Sequence, residues 1–231
     1  MTDPLKEIAA RAAAGMVENG MRVGLGTGST ASIAIRILGE RVRDEGLRIT
    51  GIPTSLASGA QARDCGIPLT DFETTPQLDL TIDGADEVDP NFDLIKGGGG
   101  ALLREKVVAR ASTLFVVVAD EGKLVTRLGL VWRLPVEIVP FARHTVEREI
   151  QSLGGEPLLR QRDAKPYVTD NHNWILDVRF PDGIADPAAT ETALDRIPGV
   201  VEIGLFVAMA GRIVIGRPGK AEIRERPARP R

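Results

Sequence analysis

The chain has 231 residues, 43% of them hydrophobic and 26% charged, which is enough apolar side chain to bury a sizeable core and excludes a disordered chain. Its 29 basic and 32 acidic residues leave a net charge of -3, so no overall field recommends a nucleic acid as partner, and any anion site must be local. The single cysteine, Cys65, excludes an intrachain disulfide and a thiolate zinc cluster and fits a reducing, cytoplasmic setting; the early charges at Asp3, Lys6, Glu7 and Arg11 argue against a leader or a membrane span.

In "DPLKEIAARAAAGMV", Asp3 offers an N-cap and Pro4 a first-turn proline, so the alanine-rich stretch predicts a helix, which carries Lys6. The segments "RVGLGTGS", "RITGIPTS", "LDLTIDGAD" and "TLFVVVADEGK" then share one form, a short apolar run ending in small or polar residues, with helix-like sequence between them. This alternation predicts an α/β fold, a mostly parallel sheet with flanking helices of the Rossmann-like kind. Ligands of such sheets lie beyond the carboxyl ends of the strands, so Thr27 to Thr30, Thr54 to Ser58, Asp83 to Asp86 and Lys123 are expected to converge.

From Leu134 the texture changes. "VEIVPF", "HTVEREIQSLGG", "EPLLRQ", "YVTDNHNWILDVRF", "DPAATETALDRIPG" and "VVEIGLFV" read as βαββαβ, with "DNHN" as a turn. The expectation is a smaller ferredoxin-like α+β domain over 134–206, with the catalytic α/β domain made of 1–133 and 207–231. "GRIVIG" would return to the main sheet, and the closing "RERPARPR", basic and proline-rich, reads as a frayed tail.

"GLGTGST" lacks the third glycine of a dinucleotide fingerprint, where Ser29 stands, and "RITGIPTS" ends in Thr54 and Ser55 where a ribose-binding acid would be needed. A Walker loop fails as well, for want of Gly-Lys-Ser/Thr. What remains is a helix start with backbone N–H groups and the hydroxyls of Thr27, Ser29 and Thr30 around Gly28, suited to one phosphate; the plain alternative is a tight strand-to-helix turn. "DGADEVD" sets Asp83 and Asp86 about Gly84 and Ala85. Its spacing is not that of an EF-hand, which leaves a magnesium site, a solvated acidic turn, or paired carboxylates that move protons among sugar hydroxyls.

"KGGGGALLREK" places four consecutive glycines before a helix-like segment, although glycine disfavours helix by about 1 kcal/mol. The bare backbone of Gly97, Gly98 and Gly99 would let N–H groups, with the Lys96 ammonium, approach a developing oxyanion. On a helix starting near Gly100, Glu105 has only Ala101, Leu102, Val108 and Ala109 three and four places away. A carboxylate in an apolar stripe is either a base whose pKa burial raises toward working pH or half of a buried salt bridge. Lys6 and Lys123 are either surface lysines or phosphate partners, and Lys123 is the better placed. His144 and His172 fall in the small domain, which disfavours a hydrolytic triad.

In their order and spacing, "GTGST", "DGADEVD", "KGGGGALLREK" and "ADEGK" resemble the ribose-5-phosphate isomerase A family, and the likeness extends through "LPVEIVPFAR", "LGGEP", "VTDNHNWILD", "IPGVVEIGLF" and "IVIG" to about Gly219. The resemblance implies a cytoplasmic aldose-ketose isomerase without metal or other cofactor. It would act on a small sugar phosphate, need no nucleic acid or membrane, and form a homodimer or homotetramer. It implies Glu105 as the base for an enediolate mechanism, with substrate contacts from Thr27 to Thr30, Asp83 to Asp86, Lys96 to Gly99 and Lys123. Beside these, we read Asp83 as assisting ring opening, Asp86 as a proton shuttle and Lys96 as an oxyanion partner. The phosphate falls either to Ser29 and Thr30 with Lys6 or to Lys123. A sugar-phosphate sensor would lack the base and carry a DNA-binding segment, and an amino-sugar isomerase or deaminase would place a histidine at the pocket.

Overall fold

The computed structural model describes residues 3–226, which fall into two compact units, 3–85 with 104–123 and 209–226, and 86–103 with 124–208. The second unit takes in 86–103 and 124–133 beside the stretch read from sequence as a small domain.

In chain order the elements are α1 (Pro4–Ala14), β1 (Arg22–Leu25), α2 (Ser29–Asp44), β2 (Thr50–Pro53), α3 (Leu56–Asp64), β3 (Leu78–Gly84), β4 (Glu87–Val88), β5 (Leu94–Ile95), α4 (Leu102–Arg110) and β6 (Ser112–Asp120). They continue with β7 (Leu134–Ile138), α5 (Arg143–Ser152), β8 (Glu156–Leu159), β9 (Gln161–Arg162), β10 (Lys165–Pro166), β11 (Trp174–Arg179), α6 (Pro187–Asp195), β12 (Val200–Ile203), β13 (Leu205–Phe206), β14 (Arg212–Arg217) and β15 (Lys220–Glu225).

The first unit is built on a six-stranded sheet in the order β15-β14-β6-β3-β1-β2, parallel except for the β14–β15 pair. Asp3 caps α1 through the Leu5 N–H, as its sequence predicts, and the Ala9, Ala10, Ala13 and Ala14 methyls bury one face. That close seating depends on small residues: a Cβ at Gly216 would stand 1.9 Å from the Leu5 carbonyl oxygen. The core joins α1 and α2 to Val23, Leu25, Leu80, Ile82, Val116, Val118 and Val214. A long apolar run such as Phe115–Ala119 in β6 is what a parallel strand covered on both faces requires. Strand order reverses direction between β1 and β3, the position where open α/β sheets leave a crevice at their carboxyl edge.

In the second unit, β7-α5-β8-β11-α6-β12 forms an antiparallel sheet of order β12-β7-β11-β8, the ferredoxin-like arrangement expected from the βαββαβ reading. Leu134, Val136, Ile138, Leu176, Val178 and Ile203 share one core with Val146 and Ile150 of α5 and Leu194 of α6. The alternate positions of β7 and β11, namely Pro135, Glu137, Ile175 and Asp177, occupy the other face of the sheet.

Three local readings need correction. "VVEIGLFV" is not one strand; it breaks at Gly204, whose N–H donates to Pro135 and whose carbonyl accepts from Lys96, and β13 pairs with β5 instead. A Cβ at Gly204 would stand 2.3 Å from the Lys96 carbonyl oxygen, so the strand has to bend around that backbone. The tail read as frayed begins too early, because Arg224 and Glu225 pair with Ile213 and Arg212; residues 227–231 of that reading lie outside the described residues. "YVTDNHNWILDVRF" becomes a strand only at Trp174, with His172 in the left-handed region at φ 64° within the preceding turn.

Candidate active site

Within the first unit, the carboxyl ends of adjacent parallel strands are tied together by hydrogen bonds. Past the end of β1, a Cβ on Gly26 would stand 2.3 Å from Asp83 Oδ1, so only glycine admits that carboxylate. Asp83, on β3 and wholly buried, accepts the Thr27 N–H at 3.0 Å and the Gly84 N–H at 2.7 Å, both on Oδ1. Thr27 Oγ1 lies 2.7 Å from Thr54 Oγ1 and donates to Ser55 Oγ at 2.8 Å. Residues following β1 and β2 are thereby joined to Asp83 at the topological switch point.

The turn into α2 is exposed at Gly28 and Ser29. Gly28, at φ 107°, precedes Ser29 as an N-cap without a side-chain cap, a conformation that a residue with a Cβ rarely adopts. The uncapped first turn leaves N–H groups to a ligand. Lys6 of α1 reaches this turn, donating to Ser29 Oγ at 3.1 Å, and adds a cation to the helix dipole. Thr30 is buried just inside the helix, and Lys123 ends a short helical turn, Glu121–Lys123, after β6.

Glu105 lies on α4 and is 4% exposed; Ala101, Leu102, Val108 and Ala109 are buried with it. The helix begins at Leu102 rather than Gly100, and the stripe read from the sequence keeps its composition.

Within the second unit, the glycine loop is a defined turn. Gly97 and Gly100 have φ of 100° and 84°, and the Gly100 N–H closes onto the Gly97 carbonyl at 2.9 Å. Gly98 is bare for another reason: its Cβ would stand 2.7 Å from Asp86 Oδ1, and its N–H donates to Asp86 Oδ2 at 2.7 Å. Lys96 is 2% exposed, and its ammonium lies 5.4 Å from the Phe206 ring centroid. Gly99 is exposed. Asp86 and the glycine loop thus meet in this unit, as Asp83 and Thr27 do in the other.

Several groups that hold these loops carry no signal in the sequence. Glu87, in the segment "DGADEVD", is buried and accepts the N–H groups of Gly129 (2.6 Å), Val131 (3.1 Å) and Trp132 (2.6 Å). Arg160 donates to the Gly97 and Gly98 carbonyls, and the Tyr167 hydroxyl to that of Gly99. His144 pairs with Glu147 on α5, and His172 stays in its turn. Among the described residues, no group of three or more His, Cys, Asp or Glu side chains is gathered as a metal would need.

Comparison with known proteins finds that residues 50–220 match the model of the ribose 5-phosphate isomerase A (phosphoriboisomerase A) family. Similar proteins include ribose-5-phosphate isomerase A of Thermosynechococcus vestitus, 50% identical over 96% of this chain and 95% of that protein. The protein of the same name from Bacillus mycoides is 50% identical, covering 92% of this chain and 95% of its own. Among solved structures, ribose 5-phosphate isomerase A from Methanocaldococcus jannaschii matches with a TM-score of 0.92 and 41% identity, over 96% of this chain and 98% of that one. A D-ribose-5-phosphate isomerase in complex with phospho-erythronic acid matches with a TM-score of 0.93 and 38% identity, with the same coverage of 96% and 98%.

Proposed function

We propose, from the premise that this chain belongs to the ribose 5-phosphate isomerase A family and interconverts D-ribose 5-phosphate and D-ribulose 5-phosphate, that Glu105 is the base of its reaction. The observation that carries this assignment is the buried carboxylate on the first turns of α4, in an apolar stripe that begins directly after the glycine loop. Isomerisation needs a base for a carbon-bound proton, donors for an enediolate oxygen and an anchor for the phosphate.

In our reading, Asp83 assists opening of the sugar ring. Glu105 then takes the proton from C2 of the open aldose, and the electron pair moves toward C1 and its oxygen to form the enediolate. The Lys96 ammonium and the N–H groups of Gly97 and Gly99 stabilise the oxygen that becomes negative, while the Gly98 N–H holds Asp86. Glu105 returns the proton to C1, and Asp86 carries the hydroxyl proton from O2 to O1, which leaves the C2 ketone. No electrons leave the sugar, so the scheme calls on no redox partner. The phosphate is assigned to the α2 cradle, with Ser29, Thr30 and Lys6; the Lys6–Ser29 hydrogen bond supports that choice over Lys123.

The test is Glu105→Gln, assayed with a chelator present. Turnover should fall about a thousandfold while KM stays within about tenfold, the pattern for loss of a proton-transfer group. Phospho-erythronic acid, whose carboxylate resembles the planar enediolate, should still bind. Undiminished turnover in the variant would overturn the assignment of the base, and activity abolished by the chelator in the parent would overturn the metal-free scheme.

We further infer that the protein works as a homodimer or homotetramer in the cytoplasm. Phe141, 100% exposed, and Val131, 80% exposed, offer apolar surface that a second copy would cover. The lone Cys65, whose thiol burial pushes up, fits a reducing compartment. Among the described residues no helix is long and apolar enough to cross a membrane. Sedimentation at micromolar protein should give a dimer or tetramer; a monomer there would refute the assembly.

A further inference from the structure

Gly97, Gly98 and Gly99 have their carbonyl oxygens held by side chains from one short stretch of the ferredoxin-like sheet. Arg160 follows β8 and stays beside β11, its N–H donating to the Ile175 carbonyl at 2.8 Å. Its guanidinium, only 14% exposed, makes a two-pronged pair with Asp177 of β11, Nε to Oδ2 at 2.9 Å and Nη2 to Oδ1. With those prongs fixed, Nη1 donates to the Gly97 carbonyl at 2.9 Å and the Gly98 carbonyl at 3.2 Å. Tyr167 returns to the same place: its N–H donates to the Arg160 carbonyl at 2.9 Å and its hydroxyl to the Gly99 carbonyl at 3.3 Å. The guanidinium carbons of Arg160 and Arg162 lie 5.8 Å and 4.7 Å from the centroid of its ring.

Holding a carbonyl sets the next amide, because a planar trans peptide points its N–H opposite to its C=O. Fixing the Gly97 carbonyl aims the Gly98 N–H, which donates to Asp86 Oδ2 at 2.7 Å. Fixing the Gly98 carbonyl aims the Gly99 N–H away from the guanidinium, at a residue that is exposed. Fixing the Gly99 carbonyl aims the Gly100 N–H, which closes the turn on Gly97. Glycines have the most backbone freedom to lose, so a run of them stays aimed only if something outside the run holds it. A cation on the carbonyl side also polarises each peptide and makes its N–H the better donor.

We propose that Arg160, braced by Asp177 and backed by Tyr167, is a positioning residue of the isomerase: it holds the glycine loop with the Gly99 N–H directed at the enediolate oxygen and the Gly98 N–H on Asp86. The proposal rests on the reading that this loop meets that oxygen. Lysine cannot replace the arginine, since one ammonium cannot span the Asp177 carboxylate and two carbonyls in the same geometry.

The full-length Arg160→Ala, Arg160→Lys and Tyr167→Phe variants decide the matter by steady-state kinetics on ribose 5-phosphate, with and without millimolar guanidinium. For Arg160→Ala, kcat should fall about a hundredfold, as for a small misplacement of catalytic groups, with KM changed by less than about threefold. Guanidinium should restore about tenfold of that loss, Arg160→Lys should stay impaired, and Tyr167→Phe should lose less. If Arg160→Ala does not fold, Asp177→Asn should show the same split, with kcat lowered and KM kept. Parental kcat in the folded Arg160→Ala or Asp177→Asn enzyme would overturn the proposal, as would a loss that follows thermal stability and ignores guanidinium. Glu105→Gln separates the premise from the inference: if it keeps turnover the reading of the loop falls too, and if it is inactive while Arg160→Ala turns over normally only the clamp is wrong.

Discussion

At Gly26 one methyl group decides whether Asp83 keeps its place. The added Cβ of Gly26→Ala would stand 2.3 Å from Asp83 Oδ1 and 2.6 Å from Asp83 Cα, well inside contact distance of a buried carboxylate that accepts two backbone N–H groups. Relief requires β1 or β3 to shift, an overpacking cost of about 1–3 kcal/mol. Gly26→Ala should therefore lower the urea midpoint and reduce kcat by at least about tenfold; parental kcat and midpoint together would show that Asp83 can move without consequence. The sequence displays Gly26 as one more glycine in a phosphate-type turn, because its partner lies 57 residues away in β3. Groups with unusual local company are legible from the chain alone. Glu105 stands in an apolar stripe and Asp83 beside a strand end, so both draw attention. Arg160, Tyr167 and Glu87 have ordinary neighbours in sequence, and their significance comes from carbonyls and N–H groups that the fold brings from elsewhere.

Elements were legible in proportion to their length and period. The βαβ alternation through β6 and the βαββαβ order of the second unit both follow from runs long enough to show apolar periodicity, and the sheet orders agree with them. The two-residue strands β4, β5 and β13 have too few positions to show any period, and only their mutual pairing defines them. β15 was hidden for another reason. It is an edge strand carrying Lys220, Glu222, Arg224 and Glu225, charges that suit an exposed edge and make it look like a tail. Gly204 shows how one element can carry two registers, since Val200–Ile203 pairs in the ferredoxin-like sheet and Leu205–Phe206 in the small sheet with β5. That switch brings Phe206 under the Lys96 ammonium, so a break invisible in hydropathy positions a charged group of the proposed site.

The two units carry their titrating groups unequally, and this gives the molecule a directional response to acid. In the first unit, the hydrogen bonds from Arg22 hold the Asp79 carboxyl below its usual range, and Arg36 does the same chiefly for Glu7 and Arg217 for Glu222. Arg43 lowers Asp44, and the Thr74 N–H lowers Asp71. Each such group has a folded pKa below its unfolded one. Its contribution is complete above the unfolded value, about 4, and disappears as pH falls through the folded value. In the second unit, burial pushes Asp89 up. Its sign is opposite: the native state gains when Asp89 is protonated, and that gain is lost as pH rises through its folded pKa. The exposed members among these contribute little each, but all five of these lowered carboxyls lie in the first unit. On going from pH 7 to about pH 3.5, protection against hydrogen exchange, taken relative to the intrinsic amide rate at each pH, should therefore fall in β1, β3 and β14 before β7 and β11, and Asp79→Asn should narrow the difference between the two pH values in β1 and β3. Simultaneous loss of protection in both sheets, or no narrowing in Asp79→Asn, would show that acid acts on the chain through groups other than these.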